Sequence, residues 1–251
     1  MIPKIIHYCW FGGNSMPEFN RKCIESWEKF FPGYKIIKWD ESNFDINICD
    51  YVREAYEAKK WAFVSDYVRF YVLYKYGGVY MDVDVEVIRP IHDIVEKGAF
   101  LAREAESTGG MIAPGLIMGA RRGNKIFKYV LNDYNRDYFL LDNGEYNMRT
   151  ICERTTEWME KYGYNAELNG IQKVDDIYIY PGEYFCPIGW DGKGEITVNT
   201  RSIHYYMASW YGGAERKLIF YSVLKQTKTG LSRKAISLKM FFYRLLRRVY
   251  R

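Results

Sequence analysis

The sequence predicts an α/β fold with a largely parallel central sheet. Strand-like apolar runs alternate with helical patterns over the first ninety residues, and Gly or Pro marks most of the boundaries between them. The chain has 251 residues, 48% of them hydrophobic and 27% charged, a composition that can bury a sizeable core. No linker rich in Pro, Gly or Ser divides the chain, so we expect one main domain.

The first elements can be placed in order along the chain. Residues 4–10 form an apolar run that ends at Phe11-Gly12-Gly13, which indicates a buried strand and a tight turn. Ser15 and Glu18 have the spacing of a capping box, which predicts a helix up to Pro32-Gly33. Further strands are predicted at 34–39, 79–87, 99–103, 116–120, 177–180 and 202–206, and further helices at 50–59, 62–76 and 147–161.

Composition narrows the class of protein. The five cysteines are scattered without paired spacing, which favours core thiols over a disulfide framework or a zinc site. The N-terminus lacks the pattern of a signal peptide and no uncharged apolar stretch reaches the roughly 18 residues of a membrane span. We therefore expect a cytoplasmic protein.

Charge is divided unevenly along the chain. Residues 1–215 contain 25 Lys and Arg against all 31 Asp and Glu, whereas residues 216–251 contain 11 basic residues and no acid. The division predicts a main folded domain at 1–215 and a basic helical tail at 216–251.

The predicted strand at 79–87 places acidic residues on one of its faces. Tyr80, Asp82, Asp84 and Glu86 share that face, because side chains alternate along a strand. Neighbouring carboxylates there would lie about 7 Å apart and repel by roughly 2 kcal/mol at an effective dielectric near 20. In a cleft they would bind a cation, whereas on an open face they would simply be solvated.

Two other polar groups accompany this strand. Asp66 and Arg69 are at i and i+3 of the preceding helix, where they form either a surface salt bridge or part of a site. Tyr76-Gly77-Gly78 predicts a tight return that brings this helix beside the acidic strand. His204, one of three histidines, is by itself more often a core or surface histidine than a metal ligand.

Taken together, these residues resemble glycosyltransferase family 32. This group has a DXD sugar-binding region and includes bacterial capsular and exopolysaccharide transferases and yeast initiating mannosyltransferases. The resemblance spans most of residues 2–210, and its most specific parts are Ile2-Pro3-Lys4-Ile5-Ile6-His7 with Trp10-Phe11-Gly12, and residues 65–84. It implies a GT-A (Rossmann-like) glycosyltransferase fold with a mostly parallel central sheet.

The resemblance also implies an activity and its catalytic residues. It implies transfer from a nucleotide sugar, a UDP-sugar, with a divalent cation (Mn²⁺, or Mg²⁺) and with retention at the anomeric carbon. Asp66 and Arg69 would hold the donor's sugar hydroxyls and phosphate. Asp82 would lie near the ribose and the waters of the metal, and Asp84 would bind the metal directly.

Other matching residues are implied to bind the donor or to complete the metal site. His204 would be a third metal ligand beside Asp82 and Asp84. The implied donor-binding residues are His7, Trp10, Phe11, Gly12, Tyr80, Ser209 and Trp210. A cation held by carboxylates would neutralise the charge that develops on the departing diphosphate. No residue stands out as a base, which is compatible with a front-face mechanism and leaves a covalent intermediate open.

Two other functions remain alternatives. A cation- or glycan-binding module could keep this fold without turnover. A sugar nucleotidyltransferase also uses paired acids, but Gly12-Gly13-Asn14-Ser15-Met16 contains no basic residue, which disfavours binding of a triphosphate. No nucleotide-binding glycine motif of the P-loop or dinucleotide type is present, and nucleic acid is not an expected partner.

The tail contains a periodic apolar pattern. Between residues 231 and 251 apolar residues recur at helical spacing, at Leu231, Ala235, Leu238, Phe242, Leu245 and Val249. Such a basic amphipathic helix is typical of an anchor on an anionic membrane surface. It would place an enzyme of capsule or other polysaccharide synthesis peripherally on the inner face of the cell membrane, near a glycan or lipid-linked acceptor. The alternative is a helix docked on the body with its apolar stripe buried.

Overall fold

The computed structural model confirms an α/β fold. It describes residues 1–207, 213–228 and 230–249, and in the two C-terminal helices it describes the side chains of 216–228, 232–241 and 243. The strands are β1 Ile5–Cys9, β2 Lys35–Trp39, β3 Gly78–Tyr80, β4 Val85–Val87, β5 Ala99–Ala102, β6 Met118–Ala120, β7 Gln172–Val174, β8 Ile177–Tyr180 and β9 Ser202–His204. The α-helices are α1 Glu18–Phe30, α2 Asp50–Glu57, α3 Trp61–Tyr76, α4 His92–Lys97, α5 Lys125–Tyr134, α6 Ile151–Lys161, α7 Gly182–Phe185, α8 Gly213–Thr227 and α9 Gly230–Val249.

The central sheet has seven strands in the order β2-β1-β3-β6-β5-β8-β7. Five strands (β1, β2, β3, β5 and β8) run in one direction, and β6 and β7 run in the other. The mostly parallel sheet is therefore confirmed. Because the carboxyl ends of the five parallel strands meet at one edge, that edge is where an α/β fold builds its site.

A buried core lies on each face of the central sheet. One contains residues of α2, α3, α5 and α6, and is centred on Phe70, Tyr51 and Phe127. The other contains residues of α1, α4, β4 and β9, and is centred on Trp27, Phe100 and Ile203. The sheet is thus the middle layer between two apolar layers.

The prediction of a single strand at 79–87 is wrong, because the segment forms two strands with a turn between them. The chain leaves the central sheet after Tyr80, turns at 81–84, and resumes as β4 in a separate two-stranded sheet with β9. The N–H of Val85 donates to the carbonyl of Asp82 at 3.1 Å, which closes the turn. Alternating valines favour extended backbone but do not encode this change of sheet, which comes from the pairing with β9.

The predicted capping box of α1 is also wrong. This helix begins at Glu18 after Pro17, and no side chain caps it. The capping box of the described chain lies instead at α6, where Thr150 and Glu153 bond reciprocally. The helix therefore begins at Ile151, four residues after the predicted start at 147, because Thr150 has the extended backbone of an N-cap.

The basic C-terminal segment forms two packed helices. Val223 of α8 is fully buried, and Phe220 lies 4.9 Å, ring to ring, from Phe19 of α1. Helix α9 buries Ile236 and Met240. Ala235 and Leu238, the stripe residues whose side chains are described, are exposed. Among the described side chains, α9 is therefore docked through residues outside the predicted stripe.

His7 is a core histidine whose neutral form the fold requires. It has no exposed surface, its Nε2 pairs with the carbonyl of Gly77 at 2.9 Å, and its Nδ1 accepts from Trp39 Nε1 at 3.0 Å. Burial lowers its pKa from 6.5 to about 4, against the raising effect of the Gly77 carbonyl.

We predict that this histidine makes the fold sensitive to acid. Between pH 6.5 and 4 the unfolded chain binds a proton at His7 that the folded chain does not, so stability falls as the pH falls. The loss amounts to about 3 kcal/mol in the free energy of unfolding over that interval. Urea titrations at several pH values should show a shallower dependence in His7→Gln, and the parental dependence in the control His92→Gln, whose histidine is exposed. Equal pH dependence in parent and His7→Gln would contradict the assignment.

Candidate metal and nucleotide-sugar site

The turn after β3 presents two carboxylates at the edge of the sheet. The N–H of Asp82 donates to the carbonyl of Gly115 at 2.9 Å, which fixes the first residue of the turn. Asp84 follows, and the backbone N–H of Met207 donates to its Oδ2 at 2.7 Å. Both acids therefore lie where β3 ends, held from two sides by other segments.

Pairing between β4 and β9 brings His204 to these acids. The two strands pair antiparallel with Val85 opposite His204. The Nε2 of His204 lies 3.3 Å from Asp84 Oδ1. Although burial opposes both charges, each supports the other, so the pKa of Asp84 lies below its usual range and that of His204 well above it. Residues 120 positions apart in the sequence thus form one charged pair.

Arg69 joins the helix before the turn to the turn itself. Its Nη2 lies 3.1 Å from Asp66 Oδ1 and 3.3 Å from Asp82 Oδ1. Arg69 and Asp66 are buried, which rules out a surface salt bridge, the alternative that the sequence left open. Tyr80 donates its hydroxyl to Asp82 Oδ1 at 2.8 Å, and the Arg69 guanidinium lies 5.1 Å from its ring centre. Two polar groups therefore hold one oxygen of Asp82.

Burial raises the pKa values of two acids in the site. Desolvation raises the pKa of Asp66 to about 6, although Arg69 lowers it. The pKa of Asp82 is also raised by burial, again against the effect of Arg69. The side chain of Asp82 is 31% exposed and that of Asp66 only 9%. Asp82 is therefore the acid that solvent and a ligand can reach, and Asp66 is buried behind the Arg69 guanidinium.

The donor atoms of Asp82, Asp84 and His204 fit a divalent cation. One ligand atom from each lies within 4.8 Å of the others. Two carboxylates and an imidazole suit Mn²⁺ or Mg²⁺ better than a soft metal. The Nδ1 atom of His204 is buried without a hydrogen-bond partner among the described residues, so this ring still has coordination or hydrogen-bonding capacity.

The loop after β1 borders the same edge of the sheet. Gly12 has a φ of +90°, and a Cβ there would lie 2.6 Å from the ring of Trp61. Its N–H donates to Glu41 Oε1 at 2.6 Å. Phe11 is buried, whereas Trp10 is half-buried and donates to the Asn14 carbonyl. A nucleotide base could contact this turn through Trp10 and the backbone.

Three of the predicted donor-binding residues, His7, Tyr80 and Phe11, are buried inside the protein instead. His7 has both ring nitrogens engaged in the core, and Tyr80 is buried with its hydroxyl on Asp82. Their side chains support the site from beneath and do not face the cleft. Ser209 and Trp210 lie outside the described residues.

Sequence reasoning missed three neighbours of the site. Gly115 packs against the Asp82 carboxylate, and the Trp61 ring packs against Gly12. Glu104 follows β5 at the same edge of the sheet. Pro114-Gly115 is a turn signal, but no local pattern indicates contact with Asp82. These residues become neighbours through tertiary packing alone.

Comparisons with known proteins agree with the predicted class of enzyme. Residues 17–101 match the model of a glycosyltransferase sugar-binding region containing a DXD motif. The chain is 28% identical, over 74% of its length and 78% of the relative, to uncharacterized glycosyltransferase L373 of Acanthamoeba polyphaga mimivirus. It is 30% identical to inositol phosphoceramide mannosyltransferase 3 of Schizosaccharomyces pombe, over 55% of this chain but only 38% of that protein.

A solved structure also resembles the fold. It is a glycosyltransferase involved in glycosylation of the major capsid of PBCV-1, with 14% identity, a TM-score of 0.46, and coverage of 85% of this chain and 97% of that one. The relatives' names confirm the predicted enzyme class, a glycosyltransferase. The subgroup, glycosyltransferase family 32, stays a prediction.

We predict that Gly115→Ala damages the site while the fold persists. A Cβ at this position would lie 2.1 Å from Asp82 Oδ2 and 3.0 Å from Arg69 Nη1, so Asp82 must move. Mn²⁺-dependent release of UDP from a UDP-sugar should fall at least tenfold, with circular dichroism unchanged. Gly144→Ala is the control, because a Cβ there meets no atom within 4 Å and costs only the strain of its φ of +82°. Parental activity in Gly115→Ala would show that Asp82 tolerates displacement.

Proposed function

We propose that this protein is a metal-dependent GT-A glycosyltransferase that transfers a hexose from a UDP-sugar to a glycan or lipid-linked acceptor with retention. The observation that carries the proposal is the convergence of Asp82, Asp84 and His204 within 4.8 Å beside the buried Asp66–Arg69 pair. Mannosyl transfer by the yeast relative supports a hexose but leaves the donor sugar of this chain to experiment. Synthesis of capsule or other polysaccharide is the proposed setting.

Each side chain of the site has its own proposed role in the reaction. Asp82, Asp84 and His204 would hold Mn²⁺ or Mg²⁺, which when bound neutralises charge on the departing diphosphate. Arg69 and Tyr80 orient Asp82, and Asp66 balances the charge of Arg69. Trp10 and the Gly12 backbone border the cleft where the uridine would lie. Contact of Asp66 and Arg69 with the donor sugar remains part of the proposal.

A donor panel with Mn²⁺ tests the function, and NMR of the first product tests retention. UDP-glucose, UDP-galactose, UDP-N-acetylglucosamine and GDP-mannose should be offered separately, with nucleotide release as the readout. The anomeric coupling constant of the initial product, recorded before mutarotation, reports retention. Absence of metal-dependent release from every nucleotide sugar would favour the non-catalytic binding module.

We predict that Asp84→Asn abolishes most of this turnover. Loss of one preorganised charge at a developing anion costs about 10²- to 10³-fold in rate. Asparagine can still accept the Met207 N–H, so the turn should persist, as circular dichroism can verify. The exposed Asp142 supplies the control, Asp142→Asn, which should be as active as the parent. Metal-dependent turnover at the parental rate in Asp84→Asn would remove Asp84 from the site.

We also propose that the exposed face of α9 binds anionic membrane from the cytoplasmic side. Leu238 is 68% and Phe241 59% exposed, and they lie on a helix with Arg233, Lys234 and Lys239 and no acid. Exposed apolar side chains beside lysine and arginine are the usual features of an interfacial helix. None of the described helices is long and apolar enough to cross a bilayer.

We predict that Leu238→Glu with Phe241→Glu weakens binding to liposomes containing phosphatidylserine at least tenfold. The changes remove apolar area and add charge of the wrong sign. UDP release in solution should be unchanged, because the docked residues Ile236 and Met240 are untouched. Leu168→Glu with Ile171→Glu, at exposed positions of the body, controls for net charge. Unaltered co-sedimentation of the tail variant would contradict the proposed membrane face.

A further inference from the structure

Glu104 lies at the carboxyl end of β5, the edge where Asp82 and Asp84 leave β3. Its backbone is fixed, because its N–H donates to the Met111 carbonyl at 2.8 Å and its own carbonyl packs against Gly182. Phe100, Ala102 and Ala105, which lie on either side of it in the sequence, belong to the second core. Tyr206, two residues beyond His204, belongs to that core as well.

This carboxylate differs from the other acids of the site. Asp66 and Asp82 share Arg69, and Asp84 has His204 and the Met207 N–H. Among the described residues, the Glu104 side chain has neither a hydrogen bond nor a salt bridge. Glu104 is half-buried. Because its carboxylate has no such partner, its oxygens can accept a hydrogen bond from a ligand.

Contacts through α7 join Glu104 to the segment that leads into β9, because its carbonyl packs against Gly182 and the N–H of Arg201 donates to the carbonyl of Tyr184 at 2.7 Å. Burial raises the pKa of Glu104, and His204 partly offsets the effect. Burial raises the pKa values of Tyr206 and Cys152, and the negative charge of Glu104 raises both further. Cys152 is the second residue of α6, and the charges of Asp66 and Asp82 also raise its pKa. Glu104 is therefore close enough to His204 for the two charges to interact.

We propose that Glu104 binds the acceptor, by accepting a hydrogen bond from the hydroxyl group that attacks the donor sugar. The inference rests on the proposed glycosyltransferase function and adds an acceptor subsite to it. The loop after β1 and the turn after β3 form the donor half of the edge, whereas Glu104 follows β5, on the other side of β6. A hydroxyl of a sugar, a polyol or water is the chemical class that this carboxylate fits.

The transfer step balances with Glu104 unchanged at its end. A bond forms between the acceptor oxygen and the anomeric carbon, and the bond from that carbon to the diphosphate oxygen breaks. The electron pair of the broken bond leaves with the diphosphate, and the acceptor's proton passes along its hydrogen bond to Glu104, which then gives it up to the released diphosphate or to water. Glu104 holds the hydroxyl through its hydrogen so that an oxygen lone pair points to the anomeric carbon.

Glu104→Gln tests this role, with Glu106→Gln as its matched control. Glu106 is two residues away and exposed, and it pairs with Arg103 at 3.2 Å. UDP binding with Mn²⁺ would be measured by calorimetry, and UDP release from the active nucleotide sugar in 1 M glycerol as the alcohol probe. We expect at least a 50-fold lower kcat in Glu104→Gln, UDP affinity within threefold of the parent, and products shifted from glycosyl glycerol towards free sugar. Glu106→Gln should match the parent.

Two results would overturn the assignment while leaving the proposed function intact. One is a kcat within threefold of the parent in Glu104→Gln. The other is a UDP affinity that falls in step with kcat, which would make Glu104 a structural support of His204. If the parent turns over no nucleotide sugar, the proposed function fails first, and the acceptor subsite fails with it.

Discussion

The buried guanidinium of Arg69 is the interaction on which the site depends. It joins α3 to the turn after β3 by contacting Asp66 and Asp82 at 3.1 and 3.3 Å. Removing one partner from such a buried pair costs about 3–5 kcal/mol, because the remaining charge is left uncompensated. The position of Asp82 in the cleft is therefore tied to the stability of the fold, and substitution of Asp66 or Arg69 should affect both together.

A second constraint is the break between β3 and β4. If the strand had continued from 79 to 87, the acids would have stayed on one face of the central sheet, about 7 Å apart. The turn instead directs the chain to β9, and this pairing supplies His204 as a counter-charge for Asp84 and, once deprotonated, as the proposed third ligand of the cation. The small β4–β9 sheet thus completes the site that the central sheet begins.

The sequence predicted the features that depend on local pattern. The α/β class, most strand positions, the acids Asp82 and Asp84, and their association with Asp66 and Arg69 all follow from periodicity, glycine positions and family resemblance. The contacts that depend on packing were not predictable: His7 satisfied by Trp39 and Gly77, and Gly115 against Asp82. The tail shows the same limit, because its periodicity indicated an amphipathic helix but not which of its faces docks on α8.

The central claim is that Asp82, Asp84 and His204 bind one divalent cation beside a nucleotide diphosphate. A crystal of the protein grown with UDP and Mn²⁺ tests it directly, through anomalous diffraction at a wavelength where manganese scatters strongly. We expect one strong anomalous peak in the site, within about 2.5 Å of Asp84 and of UDP phosphate oxygens. A peak bound elsewhere, or UDP bound in the cleft with no manganese beside these residues, would contradict it.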